Sequence, residues 1–425
     1  MAGGSRARLA ALAGILAFVY FRCPLLLREP RFWAEEGSLY FATSWHASPL
    51  GALCQIHRGY LSLVPNVATL AGSRLVPLSW APAVTELAAL AAELVPLLLI
   101  LWGRSILFSS FPARAIACAA VLLVGQTGEM WLASISAQFH LALATFLVLM
   151  EEPATTAARR AAHGAIVLVA GLTGVVSTFL LPLFIVRALR DRTRESAILA
   201  ATLGLATIVQ AAVVVATLRG SSLGYRASAG SIRGVVWVMA RDGLLRPFAG
   251  PWLTAKIAAL VPAGAWRAAT AALALATTGL MIVPRADHPF AMGYAAFLLM
   301  LGLSTAASIR MAGGDRYAWA PALILVILTI SRIERPLPGT RRSAIAILLL
   351  GAALLSWGFH LPRAASGYVD PAWTRWSDEV VRWDKNHAYR LRTWPQWPGP
   401  MGWGWGMKLS PTPGTPPSAT RRGGS

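Results

Sequence analysis

Charge is what this sequence has least of. Asp, Glu, Lys and Arg make up 13% of its 425 residues, where a soluble protein typically carries about 25%. Acidic residues are scarcest: 18 Asp and Glu stand against 38 Lys and Arg, so a catalytic carboxylate has few candidates. Three cysteines, Cys23, Cys54 and Cys118, stand at no metal-like spacing. Cys118 lies inside an apolar run and is expected to pack there. An apolar core needs no disulfide, and the one pairing left open joins Cys23 to Cys54, which can both face the outer side. There is no Walker A loop, no GxGxxG at a strand–helix junction, no HExxH and no GxSxG, so ATPase, zinc-protease and serine-hydrolase readings lack support. Charges within apolar runs are few, which disfavours an ion pump.

What is abundant is apolar surface. The chain is 56% hydrophobic, with a mean hydropathy of +0.57. Apolar runs of about 20 residues recur along it, the signature of membrane-spanning helices. The expected class is an all-α polytopic integral membrane protein, a bundle of about 11–12 transmembrane or half-membrane helices. The formal net charge of +20 invites a nucleic-acid reading, but the basic residues are dispersed over loops between apolar segments: Arg159, Arg160, Arg187, Arg190, Arg192, Arg194, Arg332, Arg335, Arg341 and Arg342. That is the pattern of retained cytoplasmic loops, with some contact to anionic lipid heads. Membrane lipids are expected partners and nucleic acid is not.

The N-terminus has a basic start, Arg6 and Arg8, then Leu9 to Tyr20, and a bulky Phe18-to-Cys23 stretch in place of a small-x-small cleavage site. It reads as an uncleaved first transmembrane helix, Leu9–Leu27, with its N-terminus inside. Residues 28–60 are too polar to span and form a first outer loop, with a short interfacial amphipathic helix at Ser38–His46. Leu61–Ser79, carrying Pro65, Arg74 and Pro77, is either a full span or a re-entrant pair of half-helices. Spans follow near Ala83–Trp102, Ala115–Gly128, Ala137–Met150, Gly164–Val175, Ser177–Leu189, Ile198–Leu218, Ala268–Val283, Phe290–Ser308, Ala318–Ser331 and Ile345–Phe359. Several are too short to cross untilted, which suits helices bordering a protein-lined cavity. Residues 219–266 read as an outer loop. The chain thus divides into a multi-pass domain over 1–360, a Trp-rich outer-face segment over 361–409 and a disordered tail over 410–425. Within the tail, Trp373, Trp376, Val380 and Trp383 share one helical face.

The candidate chemistry begins with Glu35 and Glu36, adjacent at a membrane boundary among Arg28, Arg31, Phe32 and Trp33. Neighbouring helical residues point about 100° apart, so one carboxylate can act while the other pairs with Arg28 or Arg31. A carboxylate can take the proton of a hydroxyl acceptor as general base; the alternative is an interfacial Glu solvated by headgroups. At the end of the same loop, His57 is a candidate proton shuttle and Arg58 a phosphate contact, with Tyr60 beside them; a plain interfacial Arg–Tyr pair is the other reading. Glu129, Gln138 and His140 form a polar cluster between two apolar spans, either facing a cavity or packing helices. Arg310, Arg316 and Tyr317 surround a Gly-Gly turn able to hold a phosphate, or make an ordinary turn. The tail tryptophans either stack on sugar faces or anchor at the interface.

The order of these features resembles bacterial GT-C-type membrane glycosyltransferases, in particular members whose first loop reads Phe-Trp-Ala-Glu-Asp-Gly followed by Gly-Tyr-Leu-x-x-x-Pro. Here the matching stretches are Phe32-Trp33-Ala34-Glu35-Glu36-Gly37 and Gly59-Tyr60-Leu61-Ser62-Leu63-Val64-Pro65, with Arg316-Tyr317 and the ending Trp403-Gly404-Trp405-Gly406-Met407-Lys408-Leu409. Glu36 stands where that group has Asp, and Ser136 and Phe139 where it has Asn and Trp. The resemblance implies Glu36 as catalytic base with Glu35 beside it. It further implies a polyprenyl-phosphate-linked sugar as donor, an outer-face glycan, lipid or protein as acceptor, and residence in the bacterial inner membrane. Some such enzymes use a divalent metal, which nothing in this sequence demands. A non-enzymatic lipid or glycan transporter, or an envelope assembly protein, is the alternative.

Overall fold

A computed structural model describes residues 2–124, 130–219, 232–261, 265–282, 288–308, 315–335, 347–358, 375–394 and 406–414. The protein is all-α, 80% helical, and among the described residues four helices are long and apolar enough to cross a membrane: Leu78–Trp102, Arg194–Leu218, His288–Ala307 and Arg316–Glu334. Two-residue antiparallel strand pairs, β1 (Ile56–His57) with β2 (Tyr60–Leu61) and β3 (Leu391–Arg392) with β4 (Gly406–Met407), are the β-ladders among the described residues.

The bundle is organised around the Ala137–Leu149 helix, whose 13 residues are all buried. A helix apolar all round belongs in a core and not at a lipid or water boundary. At its C-terminal end the buried Arg187 donates to the carbonyls of Val148, Leu149 and Glu151, satisfying oxygens that helix geometry leaves without intrahelical partners. The Ala81–Trp102 helix packs alongside, entered through Pro82 in its first turn and ended at Gly103. Both helices run in the same direction, from the end holding Thr85 and Ser134 to the end holding Gly103 and Glu151.

Several boundaries differ from expectation for physical reasons. The first helix is Ala2–Arg22, and Pro24 starts a separate turn, Pro24–Arg28. Leu63–Arg74 is a single helix of 12 residues, about 18 Å long and thus short of a hydrocarbon core of about 30 Å; it is neither a full span nor a re-entrant pair. Part of the 219–266 segment is not loop: it holds the helices Ile232–Val238 and Arg246–Leu260, joined by a π-helical stretch, Met239–Leu245. The Ser38–His46 region is a π-helical turn, Glu36–Phe41, running into Ala42–His46. Its aromatics do not lie on an interface.

They are covered by the C-terminal segment. Phe32, Phe41 and Trp45 form a second hydrophobic core with Trp376, Val380 and Trp383 of the Trp376–Lys385 helix, and with Leu391, Met407 and Leu409. Trp376 meets Phe32 edge-on at 5.2 Å, and Trp383 meets Trp45 at 6.2 Å. The described tail tryptophans are therefore core residues; Trp373, Trp397, Trp403 and Trp405 lie outside the described residues. Ser410 to Gly414, expected as disordered, dock on Trp45: the Ser410 carbonyl accepts from its indole at 3.0 Å, and the Gly414 amide donates to its carbonyl at 2.6 Å. All three cysteines are free, with Cys23 buried and Cys54 exposed, so the pairing left open by the sequence is not made.

Candidate functional site

The first loop enters between the bundle and the tail. Trp33 makes a parallel bridge with Trp394, whose amide donates to the Phe32 carbonyl at 3.0 Å. Arg31 donates to the Arg392 carbonyl at 2.9 Å. Gly37 passes so close to the tail that a Cβ there would sit 2.5 Å from Thr393 Cγ2 and 2.8 Å from Met407 Cε. Only glycine fits this approach. Behind the contact, Glu379 is fully buried and accepts from Arg392 and Tyr389.

This anchoring sends the two adjacent carboxylates to different places. Glu36 is 0% exposed. Its Oε1 accepts from the Ser134 amide at 2.8 Å and, in a short contact, from the Ser134 hydroxyl; its Oε2 accepts from Thr85 at 3.3 Å and from the Trp33 amide at 3.4 Å. Burial pushes the Glu36 carboxyl above its ordinary range, and the hydrogen bonds from Ser134, Trp33 and Thr85 oppose that rise. Glu36, expected as the base, is enclosed: no face of it is open to an acceptor.

Glu35 points the other way. Its Oε1 accepts from Arg58 Nη2 at 2.8 Å, with side-chain exposures of 24% and 33%. The partner is neither Arg28, which donates to the Tyr20 hydroxyl, nor Arg31. Arg58 occupies the turn between β1 and β2, at φ 58°, followed by Gly59 at φ 88°. Two successive left-handed residues give the two-residue hairpin turn that matches strand twist, and for a residue as large as arginine the first position is strained. The hairpin is pinned from behind: Gln210 accepts from the Leu61 amide and donates to its carbonyl, both at 3.0 Å.

Around this pair lie Tyr40, His57 and Tyr60. His57 Nε2 is 2.9 Å from Gln55 Oε1, and its ring meets that of Tyr40 at 4.4 Å. Burial, with the Arg58 charge adding to it, pulls the His57 pKa down to about 4 against a weaker opposite pull from Glu35. His57 is therefore neutral near pH 7. Burial likewise raises the Tyr40 hydroxyl. The Tyr60 hydroxyl accepts from Gln138 Nε2 at 3.2 Å. Glu35, His57, Arg58 and Tyr60 thus lie together, partly exposed, and the buried Gln138, grouped in the sequence with Glu129 and His140, joins them through Tyr60.

The remaining candidates fall elsewhere. His140 is fully buried, with its ring 4.4 Å from Trp319 and 5.3 Å from Trp131. Tyr317 packs edge-on to Phe139 at 5.7 Å, and the Arg316 guanidinium lies 5.4 Å from the Tyr317 ring. Glu129 and Arg310 lie outside the described residues. Among the described residues, no group of three or more His, Cys, Asp or Glu is placed to hold a metal ion.

Two residues missed in the sequence are central to the interior. Glu86 and Glu93 are buried on one helix; Glu86 accepts from the Arg31 amide at 3.0 Å, and Glu93 from the Leu132 amide at 2.6 Å, leaving Glu93 Oε2 without a partner. Seven residues is two helical turns, so both lie on one face, and that spacing inside an apolar run was the available signal. Arg22, buried with its guanidinium 5.8 Å from the Trp131 ring, supplies positive charge to this seam.

At the opposite end of the bundle the arginines gather. Arg159 pairs with the buried Glu151, Arg104 donates its amide to the same carboxylate, and Arg160 donates to the Ala154 carbonyl. Arg187 and Arg190 pair with Asp191. No family model matches the chain, and no curated protein matches it.

Proposed function

We propose that the protein is a membrane glycosyltransferase that moves a sugar from a polyprenyl-phosphate donor to a hydroxyl of an outer-face glycan, lipid or protein. The observation that carries the reading is the Glu35–Arg58 pair: a reachable carboxylate and guanidinium, on a first loop anchored to the bundle. The first-loop motif with its Gly37 supports the family likeness, because Gly37 has a steric role that the motif's glycine accounts for.

In this reading Glu35, and not Glu36, is the general base. The acceptor oxygen attacks the anomeric carbon and a new C–O bond forms. The bond from that carbon to the phosphate oxygen breaks, and polyprenyl phosphate leaves with the electron pair. Glu35 takes the acceptor proton, and Arg58 offsets charge growing on the phosphate. Glu36 anchors the loop and aims its neighbour. Neutral His57 and the Tyr60–Gln138 pair position sugar hydroxyls. In this reading the arginine-rich end faces the cytoplasm, as the positive-inside rule favours, with the N-terminus inside and the Glu35 cluster on the outer face of a bacterial inner membrane.

The test uses purified protein with a panel of polyprenyl-phosphate hexoses, following release of polyprenyl phosphate. Release by the wild type, lost in Glu35→Gln and retained in Glu36→Gln, supports the proposal. Donor carried across liposomes with the sugar still attached overturns it in favour of a transporter.

A further inference from the structure

A chain of buried hydrogen bonds runs behind the hairpin that carries Arg58. Gln55, just before β1, is buried, as are Ser44 on the Ala42–His46 helix and Thr69 on the Leu63–Arg74 helix. His57 Nε2 lies 2.9 Å from Gln55 Oε1, Gln55 Nε2 lies 2.9 Å from Ser44 Oγ, and Ser44 Oγ lies 2.9 Å from Thr69 Oγ1. Thr69 Oγ1 in turn lies 2.7 Å from the Pro65 carbonyl oxygen. Asn66 fixes the Gln55 backbone, because its Nδ2 donates to the Leu53 and Gln55 carbonyls, both at 2.9 Å.

Each hydroxyl has one proton to give, so the direction of the chain can be worked out. A carbonyl oxygen cannot donate, and the single Thr69 proton therefore goes to Pro65. Thr69 then accepts from Ser44, which leaves the Ser44 oxygen to accept from Gln55. The Gln55 group facing Ser44 is thus its NH2, and its oxygen faces His57. With the amide reversed, Ser44 would have to donate to Gln55 and Thr69 to Ser44. The Pro65 carbonyl would then stand 2.7 Å from a hydroxyl with no proton left for it.

The Gln55 oxygen only accepts, so His57 Nε2 carries the proton, and in the neutral ring Nδ1 holds a lone pair. Among the described residues no donor engages Nδ1. The half-buried ring stands opposite Tyr60 across the hairpin and against Tyr40, with Glu35 and Arg58 as the charges acting on it. Those two charges cancel as a pair, so a neutral donor such as a hydroxyl matches the lone pair.

We infer that Gln55 is a positioning residue that locks His57 as the Nε2–H tautomer, so that Nδ1 accepts a hydrogen bond from one hydroxyl of the bound sugar. The tautomer stands on the hydrogen-bond chain; the sugar hydroxyl rests on the transferase reading.

The test is nitrogen NMR of the full-length protein in detergent, with isotope-labelled histidine and the His57 signals assigned by their loss in His57→Asn. At pH 7 the wild type should show Nε2 protonated and Nδ1 unprotonated. Thr69→Val takes away the acceptor of the Ser44 proton, which can then turn to Gln55. The amide should reverse and the His57 tautomer shift toward Nδ1–H, although the substitution lies three hydrogen bonds away. Gln55→Leu, at equal folded content, should mix the tautomers and lower kcat at least about tenfold. Gln55→Glu should move the acid limb of the rate profile to higher pH, because a carboxylate against the ring favours imidazolium. A saturating polyprenyl-phosphate hexose should move the Nδ1 signal toward that of a hydrogen-bonded acceptor, and one of its monodeoxy analogues should not. A wild type with Nδ1 protonated, or a tautomer unmoved in Thr69→Val and Gln55→Leu, overturns the positioning role. Should Gln55→Leu fail to fold, Thr69→Val decides alone. An Nδ1 signal that no hexose in the panel moves overturns the hydroxyl contact. The expected tautomer with no transfer from any donor would sink the transferase and spare Gln55; transfer with Nδ1 protonated does the reverse.

Discussion

Arg58 reaches Glu35 across 2.8 Å from a left-handed backbone position that a residue of its size seldom occupies. Strain of this kind is retained where surrounding structure over-determines it, and such positions cluster at functional sites. Relieving it should therefore favour the fold and harm the chemistry. Arg58→Gly is expected to leave thermal stability in detergent unchanged or raise it by about 1 kcal/mol. The half-exposed ion pair it removes is worth only about 0–1 kcal/mol. Sugar transfer by the same variant should fall at least about tenfold. A variant that is less stable and fully active would contradict the role given to the turn.

Glu36 makes the opposite prediction. Removing its carboxyl leaves the Ser134 amide and hydroxyl, the Thr85 hydroxyl and the Trp33 amide without their acceptor. Each buried group so abandoned costs about 1–3 kcal/mol. Glu36→Ala should therefore collapse the yield of folded protein in size-exclusion profiles. Glu36→Gln keeps the volume and one acceptor oxygen, and should fold with a modest loss.

Gly37→Ala tests the docking of the tail. The added methyl meets Thr393, Met407 and the Phe32 Cβ together, an overpacking that typically costs about 1–3 kcal/mol. Limited proteolysis should then cut after Arg390 or Arg392 faster than in the wild type. Thr393→Ser removes the nearest of the three atoms and should restore part of the protection.

Acidification should act through His57 and Glu36 with opposite signs. His57 has a folded pKa lowered to about 4 from an ordinary value of about 6.5. Over that window the unfolded chain binds more protons, so stability is lost as pH falls. Glu36 is shifted upward, so its contribution is fully present below the unfolded carboxylate range and is lost as pH rises through its folded pKa. In melting curves from pH 7 to pH 4, His57→Asn should flatten the decline on the acid side. Glu36→Gln should flatten the decline on the alkaline side of its titration.

Much of the architecture was legible in the chain because apolar runs are long and their ends are marked. Ala81–Trp102 and Ala137–Leu149 fall within two residues of the expected spans, for Pro82 and Gly103 punctuate the first and the second is uninterrupted. What failed was everything decided by contacts far along the sequence. The face of Phe41 and Trp45 is the same whether lipid or protein covers it, and only the docking of Trp376 and Trp383 shows that it is protein. Which of Glu35 and Glu36 turns inward depends on Ser134, 98 residues away. Burial of Glu86 and Glu93 was readable from their seven-residue spacing; the Arg31 and Leu132 amides that satisfy them were not.

The central claim is that Glu35 takes a proton during sugar transfer while Glu36 holds the loop. Its most direct test is the single-turnover rate of polyprenyl-phosphate release from a donor the wild type uses, measured side by side in Glu35→Gln and Glu36→Gln of equal folded content. Loss of a general base is expected to slow Glu35→Gln by about 10²–10⁴-fold, with Glu36→Gln within about tenfold of wild type. Wild-type rates in Glu35→Gln, with the loss falling on Glu36→Gln, would contradict the assignment.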